Sequence, residues 1–254
     1  MNTFRRLQKG FSLVELMVAM AIAVFLIGGV LTMLGNTRNT SKAQSQLAQL
    51  QDDQRLAMTL ITDVVQAAGY YPDPIGMDPT VQFPATTITA AGQKIAFGTA
   101  GQAIAGATNA TTAGDIVSVR YETNGTLAND NVVDCTGNIS TVNSVLTNTF
   151  SLDANNNLLC TVNTNPSVQL VSGVTNLQIW YGLKTNFTVP DNQVDTYVPT
   201  ADMQTADWPS IISLRVKLTF KNPLFGTPGQ TATTSQTLDF TRVMTVMNKA
   251  GVQT

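Results

Sequence analysis

From Phe11 to Leu34 the chain is apolar apart from a few small or hydroxyl side chains, and Glu15 is the one ionised group in the run. A helix of that length is about 36 Å long, enough to cross a hydrocarbon core of about 30 Å with some tilt. From residue 35 the pattern stays helical but becomes one-sided. Ala43, Leu47, Leu50, Ala57, Ile61, Val64 and Ala68 recur at helical spacing, with Gln54 filling the remaining step and Leu56, Leu60 and Val65 widening the stripe. Gly69, then Pro72 and Pro74, supply the stop. The pattern therefore predicts one helix from Phe11 to about Ala68, roughly 87 Å long. Its first half must face lipid or other helices, and its second half should pack on the chain's own globular part.

From about Tyr70 the pattern changes to short alternating runs divided by turn residues, rich in threonine, asparagine, glycine and valine. This predicts an antiparallel sheet. The clearest strand is Ile211 to Phe220, where Ile212, Leu214, Val216, Leu218 and Phe220 alternate with more polar positions. Ile116 to Tyr121, Leu158 to Val162, Val174 to Tyr181 and Leu238 to Met247 are further candidates. Asn124-Gly125 and Asp153 to Asn157 read as hairpin turns. Residues 75–114, rich in alanine, threonine and glycine, read as a long, partly irregular connection. The fold class expected is α+β: a long N-terminal helix, transmembrane over about residues 11–34, packed by its second half on a C-terminal antiparallel β domain.

An acidic side chain at the centre of a membrane helix costs roughly 2.5–3.5 kcal/mol, less near the interface, and marks a position with a specific partner. No cation lies within the run to pair with Glu15; Arg5, Arg6 and Lys9 precede it, and Arg38 and Lys42 follow. Cleavage after Gly10 would create an α-amino group on Phe11, one helical turn from Glu15. That amine could neutralise Glu15 in the same chain or in a neighbour. A secretory signal has its small-residue cleavage site after the apolar stretch; here Gly10 precedes it, so cleavage would remove the basic leader and keep the helix. Alternatively, Ser12-x-x-Glu15 is a capping box, or the segment is a plain membrane anchor for a periplasmic domain. Gly28 and Gly29 fall mid-helix, where glycine costs about 1 kcal/mol against alanine. They could loosen the helix when it leaves lipid.

The run Lys9-Gly-Phe-Ser-Leu-Val-Glu-Leu-Met17 resembles the signal of type IV pilins and type II secretion pseudopilins. The resemblance implies a leader at residues 1–10, a helix at 11–69 and a periplasmic domain at 70–254. It also implies prepilin-peptidase cleavage between Gly10 and Phe11, N-methylation of Phe11, and pairing of Glu15 with an adjacent subunit's N-terminus. Further along, Leu177-Gln-Ile-Trp-Tyr-Gly182, the Asp191 to Tyr197 stretch, Asp207-Trp208 before the strand at Ile211, and Arg242 to Asn248 resemble PilW-type minor pilins. The ending departs from the Arg-Asn of that group, offering Met247-Asn248. A minor pilin that starts or caps a type IV pilus is the function implied. Its partners would be major and minor pilins, the prepilin peptidase and the inner-membrane assembly machinery. It would reside in the inner membrane as a precursor, then in the periplasm and the surface pilus. A type II secretion pseudopilin and a membrane-anchored adhesin or enzyme are the alternatives.

Cys135 and Cys160 are the only cysteines, both in the part that would lie outside the cytoplasm. A disulfide closing that loop would contribute about 3.5 kcal/mol in the chain-entropy model, with free buried thiols as the alternative. The chain has no histidine, and Glu122 is its one glutamate besides Glu15. That removes the Ser-His-Asp and Cys-His arrangements and disfavours a zinc site, so no enzyme activity and no cofactor are expected. Asp191, Gln193, Asp195 and Asp202 hold positions 1, 3, 5 and 12 of a calcium-loop spacing. Thr196 stands where that loop needs glycine, so a solvated loop is the preferred reading. The net charge is −2, and removing Arg5, Arg6 and Lys9 leaves eleven bases against 16 acids, or −5. A mildly acidic surface without a basic patch argues against direct nucleic-acid binding.

Overall fold

The computed structural model describes residues 12–110, 112, 114–124, 132–140, 142–189, 191–226 and 235–250. The chain divides into two units, residues 1–48 and 49–254. A single helix, α1 (Leu13–Gln66), begins in the first unit and ends in the second. Within the first unit every described side chain from Ser12 to Lys42 is exposed, Leu13 to 77% and Phe25 to 81%. Within the second, Leu50, Ala57, Met58, Ile61, Val64 and Val65 are buried. They recur at helical spacing, so one face of the helix enters the core. Leu56, read in the sequence as widening this stripe, is instead 48% exposed, and Met58 takes its place.

The helix ends at Gln66, two residues short of the expected Ala68. Gly69 adopts φ +71°, a left-handed conformation that glycine enters without steric cost. Its N–H donates to the Arg120 carbonyl at 2.9 Å, and its own carbonyl accepts from Asn248 Nδ2 at 2.9 Å. The helix end is thus held by the sheet on one side and by α3 (Met247–Ala250) on the other.

Among the described residues, three antiparallel sheets follow. Strands β1 (Thr86–Ala90) and β2 (Gln93–Phe97) form a hairpin. A five-stranded sheet runs in the order β3 (Ile104–Thr108), β4 (Asp115–Thr123), β5 (Ser144–Leu152), β6 (Asn157–Val162), β7 (Val168–Ser172). A four-stranded sheet is built from β8 (Val174–Leu183), β9 (Thr196–Pro199), β10 (Ile211–Lys221) and β11 (Thr237–Thr245), in the order β11-β10-β8-β9. A short helix, α2 (Pro79–Gln82), is capped by the Asp78 side chain, which accepts from Thr80 N at 2.8 Å. One buried cluster joins Leu50 to Ala68 of the helix to both larger sheets. A smaller one, from Ala90, Ile95, Phe97, Ala105 and Ile116, seats the hairpin on the other face of β3 and β4.

Two expectations are corrected. Residues 75–114 are not largely irregular, since they contain α2, β1, β2 and β3. Their hairpin turns through Ala91 (φ 51°) and Gly92 (φ 74°), both in the left-handed region as a tight hairpin requires. Alanine in the first of these positions conceals the signal that asparagine or aspartate would give. The last strand ends at Thr245 rather than Met247, because Met247 starts α3. The turn read at Asp153 to Asn157 links β5 to β6, Asp153 accepting N–H groups from Asn155 at 2.9 Å and Asn157 at 2.8 Å. Gly125 of the other turn lies outside the described residues.

Arg120 on β4 is 2% exposed and ties the smaller elements to the sheet. Its guanidinium donates to the carbonyls of Gln102, Pro84 and Phe83 at 2.6, 2.8 and 3.0 Å. The Phe97 ring lies 4.3 Å from it. Burial holds its pKa down at about 10. Three carbonyls and an aromatic face compensate for a desolvated charge.

Candidate functional site

Helix α1 opens at Ser12, whose hydroxyl accepts the Glu15 N–H at 3.4 Å while its carbonyl accepts the Leu16 N–H at 3.2 Å. This is the capping half of the Ser-x-x-Glu pattern. Glu15 therefore lies in the first turn, exposed, where the helix dipole favours a negative charge. Gly10 and Phe11, the residues expected to flank the cleavage site, lie outside the described residues.

The apolar stretch presents its side chains all round, which is unlike a surface helix of a soluble domain and suits a lipid or protein surrounding. Three threonine hydroxyls in and just after it are satisfied within the helix. Thr32, Thr37 and Thr40 donate their hydroxyls to the carbonyls of Gly28, Met33 and Asn36, at 2.9, 2.9 and 3.0 Å. The helix passes through Gly28 and Gly29 unbroken, with no atom within 4 Å of where a Cβ would stand on either. Both glycines leave room for a close neighbour.

Elsewhere the chemistry is structural. Cys135 and Cys160 form a disulfide with Cα atoms 6.1 Å apart and both residues fully buried. It pins the loop before β5 to β6, aided by Asn148 Oδ1 accepting the Cys135 N–H at 2.9 Å and the Tyr121 hydroxyl donating to the Val133 carbonyl at 2.8 Å. In the loop between β8 and β9, Asp191 and Asp195 are brought together around a lysine. Lys184 Nζ pairs with Asp191 and lies 3.9 Å from Asp195. The Lys184 contact holds the Asp191 carboxyl below its usual range. Asp195 is held down chiefly by the N–H groups of Asn186 and Thr185, each donating at 2.7 Å. Asp202, the last residue of the calcium spacing, sits apart in a 3₁₀ turn at Thr200–Asp202. No group of three His, Cys, Asp or Glu suited to a metal occurs among the described residues. Lys184, absent from the spacing argument, is the cation these aspartates face.

Two family models match the chain. Residues 5–31 match the prokaryotic N-terminal methylation motif. Residues 138–250 match type IV pilus-assembly protein W. Over these residues the chain is similar to PilW-type type IV pilins. No similar sequence was found among curated proteins. Among solved structures, a type IV-like pilin from Thermus thermophilus matches with a TM-score of 0.45 at 14% identity, covering 79% of this chain and 97% of that one.

The motif match spans Glu15 and the apolar half of α1, and the second match spans the four-stranded sheet. Arg120, Lys184 and Asn148 had no local signal in the sequence. Each is a polar residue whose partners are remote in the chain or lie across a loop.

Proposed function

We propose that the chain is a minor pilin, inserted in the inner membrane, cleaved by a prepilin peptidase between Gly10 and Phe11, and N-methylated at Phe11. It is then extracted into a type IV pilus, where it helps start or cap the filament. Major and minor pilins and the inner-membrane assembly machinery are its partners, and its β domain lies in the periplasm before reaching the cell surface.

One observation carries this reading: a capped, fully exposed apolar helix with a single carboxylate in its first turn. An acid in that setting is costly until paired. The new amine of an adjoining subunit is a counter-ion of the right charge, available only after processing. Pairing then sets register and direction as each subunit enters.

The test is Glu15→Ala in cells. The protein should remain in the membrane fraction while its amount in sheared pili falls. Undiminished incorporation would defeat the mechanism, and a mature chain beginning anywhere but Phe11 on N-terminal sequencing would defeat the processing step.

A further inference from the structure

The four-stranded sheet buries Leu214, Val216, Leu218 and Phe220 on one face. Its opposite face carries Arg215, Lys217, Thr219 and Lys221 at alternate positions of β10. Arg215 stands opposite Trp180 of β8, and Lys217 opposite Gln178. Three of the eleven cations downstream of Gly10 thus share one strand face of an otherwise acidic chain.

Within this face the arginine is held in place. The Arg215 guanidinium lies 4.0 Å from the centre of the Tyr197 ring, and the Tyr197 hydroxyl meets Ser213 Oγ at 3.2 Å. Gly182 makes room: a Cβ there would collide with Ser213 Oγ and come within 3.0 Å of the Tyr197 ring. Stacking fixes the guanidinium plane and leaves its edge free to donate two parallel hydrogen bonds. Among the described residues neither Arg215 nor Lys221 has a carboxylate within ion-pair distance, whereas Lys217 has Asp239 at 3.4 Å.

Beside β8 the face runs into a groove of about 330 Å³ lined by Gly114, Asp115, Asn176, Gln178, Trp180 and Thr200. One Asp115 oxygen accepts the Ile179 N–H at 2.8 Å, and the Thr200 and Thr108 side chains also hydrogen-bond this carboxyl, which lines the groove. The groove offers one half-exposed indole, two amides and a carboxyl, and Arg215 stands opposite Trp180 on the neighbouring strand.

We propose that this face binds an acidic polysaccharide. A uronate unit presents an apolar C–H face to Trp180, vicinal hydroxyls to the Gln178 and Asn176 amides and to Asp115, and a carboxylate to Arg215. Single-stranded nucleic acid suits the site less well. It needs several open aromatic faces, and Tyr197 is covered by Arg215. The inference does not depend on filament assembly, and it stands or falls separately from the processing of the N-terminus.

The test is a fluorescence titration of the full-length chain in detergent micelles, with Trp180 and Trp208 as its only indoles. Hexagalacturonate is the probe; cellohexaose, oligothymidylate and polyglutamate are the controls. Saturable binding is expected at about 1 mM or tighter. Arg215→Gln should weaken it about tenfold, as loss of a charge-assisted pair implies. If Arg215→Gln unfolds the sheet, Gln178→Ala and Asn176→Ala take its place, with a weakening of about threefold expected for each. The proposal is overturned by no saturation at about 10 mM, by equal affinity for oligothymidylate or polyglutamate, or by folded variants that bind as the parent does.

Discussion

Substitution of Gly69 by alanine tests how the helix is joined to the rest of its unit. At φ +71° a side chain meets its own backbone, costing about 1–2 kcal/mol. The new Cβ would also stand 2.7 Å from Asn248 Nδ2 and 3.2 Å from Ala103 Cβ. Asn248 must then move and lose its 2.9 Å hydrogen bond to the Gly69 carbonyl, worth about 1 kcal/mol. The expected loss is about 2–3 kcal/mol for Gly69→Ala and about 1 kcal/mol for Asn248→Ala. In the double variant the clash is gone and the hydrogen bond is lost once, so the loss should fall short of the sum by about 1 kcal/mol. Urea unfolding in micelles, followed by tryptophan fluorescence, reads the globular unit, since both indoles lie there. For a urea slope near 2 kcal/mol/M the Gly69→Ala midpoint should drop by about 1 M. A drop below about 0.3 M would refute the strain argument, and full additivity would refute the contact with Asn248.

Two further outcomes are expected. Replacing both Cys135 and Cys160 by alanine should lower stability by about 3.5 kcal/mol, because the bridge closes a separation of 25 residues; unreduced and reduced parent protein with the same midpoint would contradict this. The loop around Lys184 should loosen in acid. Asp191 and Asp195 have folded-state pKa values below 3.8. Their contribution is therefore present above that value and lost as pH falls through the lower folded values. Amide exchange at Thr185 and Asn186, corrected for intrinsic rate, should show protection that disappears on acidification below about pH 4, and protection unchanged to about pH 2 would exclude the linkage.

The strand from Ile211 was legible because its two faces meet different surroundings and its residues alternate accordingly. Strand β5 was missed because both of its faces are largely buried while five of its nine residues are polar. Asn148 is fully buried, and Thr149 meets Ser118 across the strands at 2.7 Å. A polar run of this kind reads locally as a loop, and only the neighbours that satisfy it make it a central strand. Lys184 escaped notice for a related reason: the acidic spacing from Asp191 to Asp202 is local, but the charge that answers it comes from the end of the preceding strand.

By itself the sequence determined the helix, its division into an apolar half and a one-sided half, and the capped carboxylate in its first turn. These follow from periodicity and hydropathy, which act between residues a few positions apart. The tertiary structure decided where polar groups find partners: buried Arg120 among three carbonyls, buried Asn148 at the disulfide loop, and half-exposed Arg215 laid on Tyr197 across Gly182. Desolvating a charge or an amide is tolerable only when donors and acceptors distant in the chain converge on it, and no local pattern encodes that convergence.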